Sequence, residues 1–279
     1  MKLSYVVDKE CLVKEYLQDL NLSKRFCKKV KLYGNFYING EVAKNYFKLQ
    51  KGDLLELEYE ESVNEELASI DYELDIKYED ENILVINKPI SLASQPSRRH
   101  FENNVVSYVK KYFEKNNINS NVHVVNRLDY QTSGLMVIAK NGLTHHLLTK
   151  EKIITRRYYC VVEGYLEQKV GVINIGIKRE QEGSIKRIAC YDGSPAITNY
   201  RVIREENKKS LIDVELETGR THQIRVHFKY LGHKLIGDKI YGEESDRLYL
   251  HCYYLDFIHP FNGEKINITS KPDFYYKEL

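Results

Sequence analysis

An arginine and a carboxylate stand two positions apart at Arg127 and Asp129, within the polar stretch Asn126-Arg127-Leu128-Asp129-Tyr130-Gln131-Thr132-Ser133-Gly134. The stretch runs straight into Leu135-Met136-Val137-Ile138-Ala139, an apolar run with the character of a buried strand. A charged loop fixed to a rigid core element is where sites are commonly built. An ionised carboxylate there could act as nucleophile or base, and a nearby arginine favours the ionised form. The same pattern also fits a polar turn in which Asp129 and Ser133 bond neighbouring backbone amides and do nothing more. Spacing alone leaves both readings open. His222 and His227 lie five positions apart on an expected helix, poor spacing for a shared metal, and no third ligand is evident. They read as structural hydrogen-bonders, as do His251 and His259, and Lys88 in Asn87-Lys88-Pro89 reads as structural too.

The rest of the chain must position these groups. Its 279 residues suffice for one large domain and a small one. The formal net charge is only +2, so any basic footprint for nucleic acid must be local. No apolar run approaches the roughly 18 residues that a spanning helix needs, and the start, Met1-Lys2-Leu3-Ser4-Tyr5, lacks an apolar signal core. The cysteines at 11, 27, 160, 190 and 252 form no C-x-x-C pair, which argues against a disulfide framework and against zinc. A reducing, cytoplasmic setting and a monomer without membrane contact are the expectation.

Residues 1–60 read as a small α+β unit. Leu12, Val13, Tyr16, Leu17 and Leu20 fall at helical spacing. Ser23 can cap a second helix that carries Lys24, Arg25, Lys28 and Lys29, with Phe26 and Val30 on its inner side. Asn39-Gly40 is a strong hairpin-turn dipeptide. Residues 61–74 are acidic and poor in apolar positions, which reads as a linker, and 75–279 form the large unit. There Ile83–Ile86 is a buried strand that Pro89 stops. Val105, Val106, Val109, Tyr112 and Phe113 mark an amphipathic helix with Asn104 as its cap. Arg156–Val162 is a further strand. Ile212, Val214 and Leu216 alternate with Asp213, Glu215 and Glu217, the mark of a half-buried strand. Thr221 can cap a helix with Ile224 and Phe228 inside and Gly232 just past its end. Strands and helices interleave without a regular βαβ rhythm, so the expected class is α+β around a large mixed, mostly antiparallel sheet.

Several segments together resemble the RluA-type RNA pseudouridine synthases, in that family's order. Arg127-Leu128-Asp129-x-x-Thr132-Ser133-Gly134-Leu135 is similar to the family's His-Arg-Leu-Asp-x-x-Thr-Ser-Gly-Leu signature. Glu79 to Pro89 resembles its Asn-Lys-Pro strand, and Arg156-x-Tyr158-x-x-Val161-Val162-x-Gly164 its Lys-x-Tyr segment, with arginine for lysine. Gly193-x-x-Ala196-x-Thr198 follows, and Leu216-x-Thr218-Gly219-Arg220-Thr221-His222-Gln223-Ile224-Arg225-Val226-His227 matches without departure. Gly237-Asp238 to Tyr241-Gly242, Leu250-His251 and His259-Pro260 close the series. The helix, basic helix and hairpin of residues 1–60 resemble an S4-like RNA-binding module.

The resemblance implies uridine detached at N1, turned and reattached at C5, chemistry that oxidises nothing and requires no cofactor and no metal. It implies Asp129 as the catalytic carboxylate, Arg220 as its partner, Tyr158 as the residue stacking on the base, and Arg127 as a filler of the vacated space. An arginine at 127 fits simple phosphate pairing equally well. Lys24, Arg25, Lys28 and Lys29 would neutralise RNA phosphates, or form a solvated helix face. Asn126 stands where the family has histidine, Ser91 where it has glycine, Gln95 for histidine and Ser194 for lysine. These departures bear on the identity of the substrate more than on activity. Large-subunit ribosomal RNA is the expected substrate and transfer RNA the alternative. An inactive RNA-binding or ribosome-assembly protein should carry damage at Asp129, Tyr158 or Arg220, and a hydrolase should show a second carboxylate. Neither is seen.

Overall fold

Strand-forming runs broken by Gly, Asn and Pro leave the chain with two main sheets. The computed structural model describes residues 2–20, 22, 24–59, 61, 63–150, 154–277 and 279; the side chains of Lys24 and Arg25 and the expected cap Ser23 lie outside the described residues. The amino-terminal sheet contains β1 (Lys2–Val6), β3 (Gly34–Ile38), β4 (Glu41–Ala43) and β6 (Leu54–Tyr59) in the order β1-β6-β3-β4. Two short strands, β2 (Cys11–Leu12) and β5 (Lys48–Leu49), pair beside it. The β3–β4 turn is Asn39-Gly40, both at positive φ as a tight hairpin demands. Helices α1 (Val13–Asp19) and α2 (Lys24–Tyr33) bury Tyr16, Leu17, Phe26 and Val30 against this sheet.

Residues 61–74 carry no regular element among those described, and they lie along α3 (Val105–Lys115). Lys110 donates to the carbonyls of Asn64, Glu65 and Leu67, and Tyr72 stacks on Tyr108 at 4.3 Å. Asn104 caps α3 by accepting from the Ser107 N–H, as the sequence leads one to expect.

Among the described residues, ten strands join into the large sheet. They are β7 (Ile76–Glu79), β8 (Ile83–Lys88), β9 (His123–Val124), β10 (Ser133–Ala139), β11 (Thr155–Glu163), β12 (Val170–Asn174), β15 (Ile197–Glu206), β16 (Lys209–Leu216), β17 (Leu250–Ile258) and β18 (Lys265–Thr269). The main path runs β12-β15-β16-β11-β17-β10-β8-β7, and its only parallel pair is β10 with β17. The hairpin of β13 (Ile177–Arg179) and β14 (Arg187–Ala189), helices α4 (Gly142–Lys150) and α5 (Gln223–Tyr230) and a short 3-10 helix (Asp273–Tyr275) are the remaining elements among the described residues. The architecture is the α+β, mostly antiparallel sheet expected.

One expectation about its strands changes. β16 is buried on both faces, and Asp213 is only 7% exposed. Ile212 and Val214 join the main core, while Leu211 joins a second cluster with Tyr159, Val161, Tyr253 and Phe274. Asp213 pairs there with Arg157 and accepts from the Tyr253 hydroxyl at 3.1 Å. Alternating polarity reported one face faithfully but could not foresee that the carboxy-terminal segment covers the other.

Candidate active site

The loop between β9 and β10 is tied down from several sides before any chemistry is considered. Asn126 is buried; its Oδ1 accepts from the Val137 N–H at 2.6 Å and its Nδ2 donates to the Leu135 carbonyl at 3.2 Å, so it pairs with β10 like a piece of strand. The Leu128 N–H donates to the buried Ser94 hydroxyl, which donates back to the Leu128 carbonyl. Lys88, fully buried, donates to the carbonyls of Pro89 at 2.9 Å and Leu92 at 2.8 Å, with the Tyr130 carbonyl at 3.4 Å. Burial brings its pKa down to about 7, against the opposing pull of Asp129. Its expected structural role stands on these contacts. Gly134 completes the anchoring. At φ +116° it meets β17 so closely that a Cβ would lie 2.3 Å from the Cys252 carbonyl oxygen, so only glycine fits there.

The loop presents Asp129, half-buried, to a cleft of about 710 Å³ whose lining includes Arg127, Tyr158, Arg220, His222 and Arg225. The Asp129 side chain does not serve the local turn. Its Oδ2 lies 3.3 Å from Nη1 of Arg225 and 3.9 Å from Nε2 of His222. Arg225 is buried, and Asp238, itself fully buried, holds its Nε at 2.8 Å and Nη2 at 2.6 Å. Burial opposes the guanidinium charge, but Asp238 and then Asp129 outweigh it and hold the pKa above its ordinary value. For Asp238 burial likewise opposes ionisation, while Arg225 and the N–H groups of Ile240 and Tyr241 hold its carboxyl below the usual range.

The partnership expected of Arg220 therefore falls to Arg225. Arg220 is exposed at the cleft rim, where its Nε donates to the Pro195 carbonyl at 3.0 Å. The helix begins one residue later than a Thr221 cap would start it: His222 is the N-cap, in the left-handed conformation, and Gln223 reaches back to accept from the Arg220 N–H and the Thr218 hydroxyl. Arg220, before the helix, is left exposed, and Arg225, its third residue, is buried. Arg225 stood in the same motif, and its signal was a charged residue among the inward-facing positions of a short helix, which demands an ionic partner. Asp238, 13 positions on, answers that demand, while Asp129 lies 96 positions away, beyond the reach of local pattern.

Tyr158 is 5% exposed and opposite Cys252 on β17, immediately after a register shift between Arg157 and Tyr158. Such a bulge re-aims a side chain. Burial, then Cys252, pushes its hydroxyl pKa well above the ordinary value, so it stands as a phenol. Arg127 is exposed at the cleft. Arg156 also lines it, with a buried Nε that has no hydrogen-bond partner and an Nη1 that would lie 2.9 Å from a Cβ at Gly219. His227, His251 and His259 make the structural bonds expected, to Thr198 and Ile175, to Ser133 and Ser270, and to the Phe261 and Asn262 amides. His222 instead faces Asp129. On α2, Lys28 is exposed, whereas Lys29 is turned toward Glu61 at 3.8 Å and the Tyr59 ring at 5.7 Å.

Ser91, where the resemblance has glycine, adopts φ 56°, the left-handed conformation that glycine takes readily. Gln95 is exposed in the cleft lining, and Ser194 forms a backbone bridge with Ile177. Among the described residues no group of three or more His, Cys, Asp or Glu is gathered so as to hold a metal, and no helix is long and apolar enough to cross a membrane.

Comparison with known proteins agrees with this geometry. Residues 82–230 match the family model described as RNA pseudouridylate synthase. An uncharacterized RNA pseudouridine synthase of Bacillus subtilis (strain 168) is 40% identical over 92% of this chain and 94% of its own length. The ribosomal large subunit pseudouridine synthase D of Vibrio parahaemolyticus is 33% identical over 86% of this chain and 80% of its own. The solved structure of human RNA pseudouridylate synthase domain containing 1 superposes with a TM-score of 0.60 at 25% identity, over 72% of this chain and 84% of that one. An ordered set of motifs, the mostly antiparallel sheet that gathers them around Asp129, and these matches place the chain among the RNA pseudouridine synthases, enzymes that isomerise uridine within RNA.

Proposed function

We propose that Asp129 is the reacting carboxylate. The observation that carries this reading is its position: a half-buried carboxylate in the cleft, with one oxygen against a buried arginine that a second carboxylate locks in place. Uridine must lose its N1 bond to the sugar and gain one at C5. A nucleophile adding at the sugar or the base serves that exchange, as does a base taking the C5 proton. In either role the Arg225 guanidinium stays against one oxygen and leaves the other to react. Tyr158, as a buried phenol, suits packing against the uracil ring better than taking up a proton. Arg127 fills the space left when the nucleotide leaves its stack, a move that costs a few kcal/mol. Arg220 and Arg156 meet the phosphates beside it.

Large-subunit ribosomal RNA is the proposed substrate, since the Vibrio relative and a second one from Zymomonas mobilis, 33% identical over 72% of this chain, are both named for it. Residues 1–60 are proposed to act as an S4-like module whose Lys24, Arg25 and Lys28 neutralise phosphates, Lys29 being shared with Glu61. Residues 61–74 join it to a catalytic unit of residues 75–279.

Mapping pseudouridines across total RNA with and without the gene tests the reading. At least one large-subunit site should vanish with the gene, return with the wild-type chain, and stay absent with Asp129→Asn, which should still bind RNA. Loss confined to a transfer RNA site would move the substrate. Asp129→Asn activity within tenfold of wild type would remove Asp129 from its role.

A further inference from the structure

His222 is the N-cap of α5 at φ 59° and ψ 22°, a left-handed conformation that residues other than glycine adopt uncommonly. Strain of this kind persists where surrounding contacts over-determine it, and it concentrates at functional sites. The contacts are specific. The His222 side chain is 11% exposed, its Nδ1 lies 2.8 Å from the Tyr241 hydroxyl, and its Nε2 points at Oδ2 of Asp129. Tyr241 is buried, with its ring edge-on to His222 and the Arg225 guanidinium 5.2 Å from its centre.

The hydrogen bonds assign the proton. The Tyr241 oxygen accepts from the backbone N–H of Arg187 at 2.8 Å, and a backbone N–H can only donate. Among the described residues the phenolic proton has one recorded acceptor, Nδ1 of His222. That nitrogen is therefore bare, and the neutral ring carries its hydrogen on Nε2, facing Asp129. Burial, the largest influence, keeps the ring in its neutral form. Arg225 donates to Oδ2 at 3.3 Å, and the His222 Nε2–H stands 3.9 Å from the same oxygen, just beyond hydrogen-bond reach, while Oδ1 has no recorded partner among the described residues.

We propose that His222 is a positioning residue which, fixed as the Nε2–H tautomer by Tyr241, closes onto Oδ2 of Asp129 beside Arg225 when RNA fills the cleft and so turns Oδ1 toward the uridine. The inference rests on the reading of Asp129 as the reacting carboxylate. If Oδ1 adds to carbon, Oδ2 becomes an acyl oxygen that keeps both donors; if Oδ1 takes a proton, the same two donors hold the remaining oxygen. His222 itself neither gains nor loses a proton in either case.

The test uses the full chain and, as substrate, RNA from cells lacking the gene, labelled with tritium at uridine C5. Tritium release under single-turnover conditions reports the reaction. His222→Phe keeps a ring and removes the donor. It should slow release about 10- to 100-fold, the scale of one hydrogen bond to a charged group, with RNA affinity within about twofold of wild type. His222→Gln, which restores an N–H, should recover most of that loss. Nitrogen-15 shifts of His222 in the unmodified protein should show a proton on Nε2 and none on Nδ1, and Tyr241→Phe should shift the ring toward the other tautomer and slow release. A proton on Nδ1 in the wild-type chain, full speed in His222→Phe, or equal losses in the Phe and Gln variants would overturn the proposal. Asp129→Asn in the same assay separates the two readings: if it is inactive while His222→Phe is unimpaired, only the positioning role is lost; if it is active, the role of Asp129 is lost with it.

Discussion

Ser133, four residues beyond Asp129, shows how single protons are fixed behind the Asp129 loop. Its hydroxyl accepts from Nη2 of Arg247 at 2.8 Å, which leaves its own proton for Nδ1 of His251 at the same distance. Nε2 of His251 then donates to the Ser270 carbonyl at 2.7 Å. Burial, reinforced by Arg247 and opposed by the Ser270 bond, lowers the His251 pKa from 6.5 to about 4. The sign of the linkage follows. As pH falls below 6.5 the unfolded chain takes up a proton here while the folded chain does not until about pH 4, so stability present above 6.5 is lost through that window. Between pH 6.5 and 5 the loss is about 2 kcal/mol. Urea unfolding at both pH values, in wild type and His251→Gln, should show a shallower decline in the variant; parallel declines would refute it.

At the scale of the element, the turn after β8 carries the clearest compromise. Lys88 clamps its carbonyls, the Leu92 N–H reaches the Tyr130 carbonyl, and the exposed Ser91 is held left-handed between them. Ser91→Gly relieves that backbone at the cost of a more flexible unfolded chain, and should raise stability by roughly 0.5–1 kcal/mol. A urea midpoint at or below that of wild type would mean the serine is not strained. Elements whose sequence carries its own punctuation were legible: the Asn39-Gly40 hairpin, the Asn104-capped α3, and α5 closed by Gly232 at φ +88°. The Asp129 loop was legible as a polar turn leading directly into a buried strand, whereas a role for its carboxylate was implied by the resemblance alone. What escaped were facts set by distant segments. Nothing local reveals that β10 runs parallel to β17, that the tail containing Phe274 covers β16, or that Arg225 rather than Arg220 meets Asp129.

Taken whole, the molecule joins a basic helix to a cleft by more than residues 61–74. Leu143 of α4 is buried in the amino-terminal core beside Leu22 and Phe26, and Glu61 ties Lys29 to His123 and Ser120. Removing residues 1–60 would uncover Leu143, so charge deletion is the cleaner probe of the module. Lys24→Ala, Arg25→Ala and Lys28→Ala together should weaken RNA binding and reduce the salt slope by roughly 0.7–0.9 for each phosphate no longer neutralised. An unchanged slope would return α2 to a merely solvated face.

The burial of Leu143 has one more consequence. A binding module on a slack tether raises the local concentration of any RNA it holds, whatever that RNA's shape. A module whose core is completed by a helix of its neighbour is held against it. If α2 grips RNA and Asp129 reacts as proposed, the span between them becomes a gauge: an RNA held at both ends must offer its uridine at that one distance from its backbone.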